Sequence, residues 1–386
     1  MSTHVKGFKF HIPHSVHSAV DFLLAFIKKN VVLCVALLAA LCTSIIVPPD
    51  GQYLSYFDWK TLTCLFCVLA VVCAFKNIRF FYCLAKKIVL LFKNTRTCIL
   101  ALAYVTFLGS MLIANDMALL TFLPLGYLVL STTGKEKYMA FTFIMQNIAA
   151  NLGGMLTPFG NPQNLYLFTK FSIPTGEFMQ IMCPTFLLAV GLITVCCLFV
   201  KKETLSIQYE EITLPKGRTI AYALLFTLSI VIVFRVVHFL IGLIVIVISL
   251  LFLDRKALKQ VDYPLLFTFM AFFVFSGNMS RIPAVQHLFG GLMDKSTLLF
   301  SILSCQLISN VPSAILLSQF TNNYQELLLG VNIGGVGTLI SSLASLITFR
   351  EYTKHNPKKA GSYMALFSLF NFGFLIVLTL AQFLFL

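Results

Sequence analysis

The last 26 residues, 361–386, carry no charged side chain, and the runs 219–234 and 236–253 carry none either. A helix needs about 20 apolar residues to cross a bilayer, and a water-soluble fold has no interior large enough for several such runs. The whole chain agrees, with 59% apolar and 11% charged residues against about 45–50% and about 25% in soluble domains. The sequence therefore predicts an all-α polytopic membrane protein. The net charge of +14 then bears on orientation in the bilayer rather than on nucleic acid, for which no partner role is expected.

Candidate crossings are 31–47, 61–75, 97–131, 176–200, 218–234, 236–253, 264–277, 296–320 and 361–386, about nine in all. The first run ends in Pro48, Pro49 and Asp50 without a small-residue cleavage site, so it reads as a retained helix. Two further stretches, 138–168 and 324–349, are cut by Gly, Pro, Asn and Ser and are expected to be re-entrant hairpins. The amphipathic pieces 78–92 and 281–293 fit interfacial helices. With the N-terminus cytoplasmic and the C-terminus outside, 21 Lys and Arg fall inside and 7 outside, Lys135 and Lys137 among the latter. The chain divides into an N-terminal segment 1–30, a first half 31–200, a cytoplasmic linker 201–217 and a second half 218–386. A multi-pass cell-membrane location follows.

The two halves resemble each other. Residues 151–168, NLGGMLTPFGNPQNLYLF, align without a gap to 332–349, NIGGVGTLISSLASLITF, with six identities in eighteen. Upstream of each block an apolar run is interrupted, at Asn115 and Asp116 in one half and at Ser309, Asn310 and Pro312 in the other. Further upstream Asp58 matches Asp262. The charge count puts those two on opposite sides, which makes the second copy inverted. Inverted repeats with discontinuous helices are a signature of secondary transporters, whose unwound backbone lines a protected cavity at mid-membrane.

Through the ND break at Asn115 and Asp116, the NLGGMLTPFGNPQN block, SNVPSAILL and NIGGVGTLI, residues 30–386 resemble the ion transporter superfamily. That group includes citrate and dicarboxylate permeases, arsenite permeases and certain sodium/proton antiporters. The resemblance implies two inverted repeats, each pairing a re-entrant hairpin with a discontinuous helix at the substrate site. It also implies a homodimer that moves a transport domain against a scaffold. Where the family usually continues with Gly and Asn in the second block, this chain has Ser341, Ser342, Leu343, Ala344 and Ser345.

Asp116 is the only acid deep within an apolar run and is a candidate for sodium or proton coupling; the bland alternative is a carboxylate locking two helices together. Asn115, Asn151, Asn310 and Asn332 recur at the breaks, as coupling-ion ligands or as caps for freed backbone. Their hard oxygens suit sodium, and no other metal or cofactor is expected. Candidate substrate contacts are Asn115, Thr157, Gly160, Asn161, Asn164, Asn310, Thr338, Ser341, Ser342 and Ser345. Asp58 and Asp262 read as helix N-caps, Cys64 and Cys67 as buried apolar thiols, and His4, His11, His14 and His17 as a cytoplasmic tail. Lys86 and Lys87 fit an anchor on anionic lipid. With no HExxH and no His beside Ser or Cys in a crossing, no enzyme is expected. The leading expectation is a transporter of a small anion, a di- or tricarboxylate such as citrate, coupled to sodium or protons. Metalloid efflux and sodium/proton antiport are the alternatives.

Overall fold

The computed structural model describes residues 26–27, 30–205 and 214–385. The histidine tail and residues 206–213 of the expected linker lie outside them. The described chain is helical throughout, with one isolated bridge between Asn94 and Thr204. Among the described residues six helices are long and apolar enough to cross a membrane, and Val31–Ile46, Phe239–Leu253 and Tyr263–Met279 are shorter apolar helices. The multi-pass architecture expected from the apolar runs is thus present.

In chain order the helices are α1 (Val31–Ile46), α2 (Trp59–Asn77), α3 (Phe80–Leu90), α4 (Thr95–Ile113), α5 (Asn115–Thr132), α6 (Met139–Gly153), α7 (Pro162–Lys170), α8 (Thr175–Leu198) and α9 (Lys216–Val233). They continue as α10 (Phe239–Leu253), α11 (Arg255–Lys259), α12 (Tyr263–Met279), α13 (Pro283–Ile308), α14 (Asn310–Leu317), α15 (Tyr324–Ile333), α16 (Leu343–His355) and α17 (Ala360–Phe385). Asp58 and Asp262 cap α2 and α12 by accepting from the backbone N–H of Thr61 and Leu265, as expected. Cys64 and Cys67 are buried free thiols. Non-helical backbone at Ser296 bends α13, and the Ser296 hydroxyl accepts from Leu299 N to restart the helix. The stretch before that bend corresponds to the amphipathic 281–293, as α3 does to 78–92.

Which segments reverse direction departs from the sequence reading. Thr95 and Arg96, at the start of α4, bond the backbone of Val200, Lys201 and Glu203. Lys135, Lys137 and Tyr138, beyond α5, all reach the Glu203 carboxylate at 2.5–2.7 Å. Both ends of 95–138 therefore sit together, and α4 and α5 fold back on each other about Ala114. A Cβ on Gly109 of α4 would stand 2.3 Å from the Phe122 ring of α5. The second half repeats this about Ser309: Thr297 and Thr321 hydroxyls meet at 3.2 Å, and Ser304 and Ser313 at 2.8 Å. In a straight helix those two serines would stand about 13 Å apart.

The stretches expected to be hairpins instead run through. Tyr138 sits at Glu203, beyond the C-terminus of α8, whereas the end of α7 leads directly into the N-terminus of α8, about 36 Å away for a helix of that length. Likewise Tyr324 bonds Glu177 at the start of α8, while Asn356 donates to the Met139 sulfur and His355 stacks on Tyr127 at the opposite end. Hence 138–168 and 324–349 are interrupted helices, and the reversals lie at 95–132 and 297–317. Gly, Asn and Pro end a helix, but whether the chain then continues or reverses depends on what packs against it. Here α4 and α5 share the face of α6, and α13 and α14 share that of α15.

The remaining helices form the surround. α1 packs along α12, α9 and α10 pack on α2, and α7 and α16 cross over onto α14 and α5 of the opposite half.

Candidate substrate and ion site

Four breaks converge at the middle of the molecule. At each reversal one residue takes a left-handed φ with extended ψ, Ala114 at 66° and 152° and Ser309 at 75° and 160°. Asn115 and Asn310 follow, and each side-chain oxygen accepts the next backbone N–H at 2.9 Å, compensating a strained helix start. Asn115 Nδ2 then donates to Asn151 Oδ1 (3.2 Å), and Asn310 N donates to Ser341 O (2.9 Å). The tip of each reversal is thereby tied to the break of the interrupted helix beside it.

The interrupted helices are tied to each other by matching bonds. Ser342 Oγ donates to Asn151 Oδ1 (2.7 Å), and Asn161 Nδ2 donates to Asn332 Oδ1 (3.3 Å). Ser342 and Asn161 are aligned positions of the two similar blocks, as are Asn151 and Asn332. Thr157 Oγ1 donates to Met111 O and Thr338 Oγ1 to Gln306 O, another matched pair. Asn332 Nδ2 also donates to Asn164 Oδ1 (2.6 Å). All thirteen residues singled out from sequence lie on these four breaks, and all but Asp116 are buried or tied into the turns around them.

Their roles differ from one another, however. Asn164 Nδ2 bonds the carbonyls of Gly154 and Met155, Ser341 Oγ bonds those of Gly335 and Thr338, and the Thr157 and Thr338 hydroxyls hold the reversals. These side chains shape the turns. Gly160 permits a close approach, since a Cβ there would lie 2.3 Å from Gly154 O. Ser345 Oγ accepts from Asn147 Nδ2 (3.3 Å). In contrast, Asp116 Oδ1 and Asn161 Oδ1 are buried with no hydrogen-bond donor among the described residues.

Three contributors escaped the sequence reading. Gln163 Nε2 reaches Asn332 Oδ1 at 3.4 Å, and its own Oε1 has no donor among the described residues. Asn147 and Asn371, both fully buried, bond each other at 3.3 Å beside Ser345 and Thr348. The spacing of Asn147 and Asn151, one turn apart on α6, was the available signal.

Helix polarity at the centre is the dominant electrostatic feature. α5, α7, α14 and α16 all begin there, and α4, α6, α13 and α15 all end there. Free N–H groups at helix starts favour an anion, and free carbonyls at helix ends favour a cation. Asp116 lies in the first turn of α5. No Lys or Arg takes part in the hydrogen bonds that join the four breaks. No cluster of three or more His, Cys, Asp or Glu able to hold a metal occurs among the described residues.

The sequence profile of the citrate transporter family matches residues 22–325. A protein of Methanocaldococcus jannaschii, named as an uncharacterized transporter, is 32% identical over 297 residues, covering 76% of this chain and 81% of its own. Inner membrane protein YbiR of Escherichia coli is 29% identical over 302 residues, covering 76% and 80%. With its all-helical, multi-pass architecture and a profile match over most of its length, the chain belongs to the citrate transporter family of membrane permeases.

Proposed function

We propose that the protein is a secondary active transporter of a small anion, a di- or tricarboxylate such as citrate, driven by sodium or protons through alternating access. The carrying observation is the meeting of four helix starts and four helix ends at one buried centre. The starts can neutralise carboxylates without a cationic side chain, and the ends, with Asp116 and the amide oxygens, can hold the coupling ion. Anion and cation then bind best together, which is the requirement for symport. The matched bonds of Ser342 and Asn161 support two inverted repeats meeting at this centre.

In a bilayer, 95–132 and 297–317 act as re-entrant hairpins, and 139–170 and 324–355 as discontinuous crossings. The total remains nine crossings, with a cytoplasmic N-terminus and an external C-terminus in the cell membrane. Lys135 and Lys137 join Glu203 on the cytoplasmic side, so the partition becomes 23 positive residues inside and 5 outside, a sharper bias than before. Asn115, Asn161, Asn310, Ser342 and Ser345 line the substrate side. Asp116, Asn151 and Asn332 serve the coupling ion. A homodimer is the assembly in the bilayer.

Uptake of radiolabelled citrate, succinate and malate into proteoliposomes, with and without sodium or pH gradients, tests this reading. Asp116→Asn should abolish gradient-driven uptake while leaving exchange of the anion down its own gradient. Full gradient-driven uptake by that variant would remove Asp116 from the coupling step. Ion exchange with no carboxylate movement would favour an antiporter, and metalloid movement an efflux permease.

A further inference from the structure

Away from the central site, a cleft of about 240 Å³ lies between the end of α2, the start of α3 and the middle of α5. Lys76, Arg79, Phe81, Tyr82, Leu120, Thr121 and Pro124 line it. Lys76 closes the last turn of α2, and Arg79 makes the turn into α3 with φ at 55°, in the left-handed region. Neither side chain forms a salt bridge or hydrogen bond among the described residues. Pro124 has no N–H, so the carbonyl of Leu120 loses its partner in the helix, and both residues line the cleft. Much of the remaining lining is apolar: Phe81 is buried, and Leu120 is 46% exposed. Two unpaired cations thus share one lining with apolar side chains at the end of a membrane-length helix.

We propose that this cleft binds one anionic glycerophospholipid from the leaflet at the α2–α3 turn. Its phosphate lies between Lys76 and Arg79, a headgroup or glycerol hydroxyl donates to Leu120 O, and an acyl chain follows Phe81, Leu120 and Pro124. The lipid bridges α3 and α5, and so links the outer helix α2 to the first reversal. Two cations beside an apolar wall match a phospholipid; a soluble dianion would leave the apolar wall uncovered. Charge and shape together thus select the occupant.

Native mass spectrometry and thermal shift of the purified protein with dioctanoyl phosphatidylglycerol, dioctanoyl phosphatidylcholine, glycerol 3-phosphate and citrate test the proposal. Phosphatidylglycerol should give a retained single adduct and a raised Tm, and the other three should not. Removing each charge, in Lys76→Gln and Arg79→Gln, should weaken the adduct about fivefold, the effect of one Lys or Arg beside an anionic leaflet. Lys359→Gln, exposed between α16 and α17 and outside the cleft lining, should bind as the wild type does. Equal binding of phosphatidylcholine, or full competition by glycerol 3-phosphate, would overturn the proposal, as would unchanged affinity in the double variant. Should that variant fail to fold, the phosphatidylglycerol and phosphatidylcholine arms on the wild type decide alone.

Discussion

The contact between α4 and α6 sets how closely the first reversal approaches its interrupted partner, and at Gly153 the two backbones come close. A Cβ built there would lie 2.3 Å from the backbone oxygen of Phe107 and 2.6 Å from Ser110 Oγ. Ordinary contact begins near 3.4 Å, so Gly153→Ala must open the interface by about 1 Å against a backbone atom that has no rotamer to escape into. Overpacking of this kind costs about 1–3 kcal/mol, and a backbone obstacle places it in the upper part of that range. At the roughly 2 °C per kcal/mol of a larger domain, Tm should fall by about 3–6 °C. Gly191 on α8 meets nothing within 4 Å, so Gly191→Ala should hold or raise Tm, since alanine is favoured over glycine in a helix by about 1 kcal/mol. The pair is measured by thermal denaturation in one detergent, with carboxylate uptake alongside. The shift at Gly153 also carries Asn115 away from Asn151, so uptake should fall together with stability. A Gly153→Ala protein that melts at or above the wild type with uptake intact would refute the close seating of α4 on α6.

Other consequences follow from the same contacts. Ser342→Ala leaves Asn151 Oδ1 with one donor of its two and should cost about 1–2 kcal/mol; a cycle with Asn151→Ala should show coupling of at least about 0.5 kcal/mol, and strict additivity would separate the two residues. Glu203 has an ordinary value of 4.5 and is held down to about 2, chiefly by Lys135 and then by Lys137 and Tyr138. Because the folded value is lowered, its contribution is complete above the ordinary value and is lost as pH falls through about 2. The Tm difference between wild type and Glu203→Gln should be constant at neutral and mildly acid pH and shrink below about 4.5; a difference that grows on acidification would contradict the clasp. Single cysteines at Lys135 and Lys170 in a cysteine-free background should react with an impermeant maleimide from opposite sides of sealed vesicles, and labelling from one side would restore 138–168 as a hairpin.

Membership in a helical membrane family was legible from apolar runs alone, because water and lipid discriminate by residue type whatever the fold. The positions of the four breaks were legible too. Asn, Gly and Pro end helices through local backbone chemistry, so Asn115, Asn151, Asn310 and Asn332 marked the centre correctly. The N-caps Asp58 and Asp262 belong with them, since a cap is a contact over three residues.

Direction at each break was decided by tertiary structure. Ala114 gives no turn signal and Ser309 marks only an interruption, yet they carry the left-handed angles that reverse the chain, while the glycine-rich blocks, locally the stronger turn formers, run on. Reversal requires two helices to share a face, and Gly109 against Phe122 is such a contact. Alternating polar and apolar residues do not encode it. The placement of Lys135 depended on the same point, as its side of the bundle follows from which segment reverses. The sequence determined a membrane-embedded helical chain interrupted at four places. Only packing across both halves decided that Asn161 would reach Asn332 and Ser342 would reach Asn151, because a bond across 171 or 191 residues depends on where distant helices come to rest.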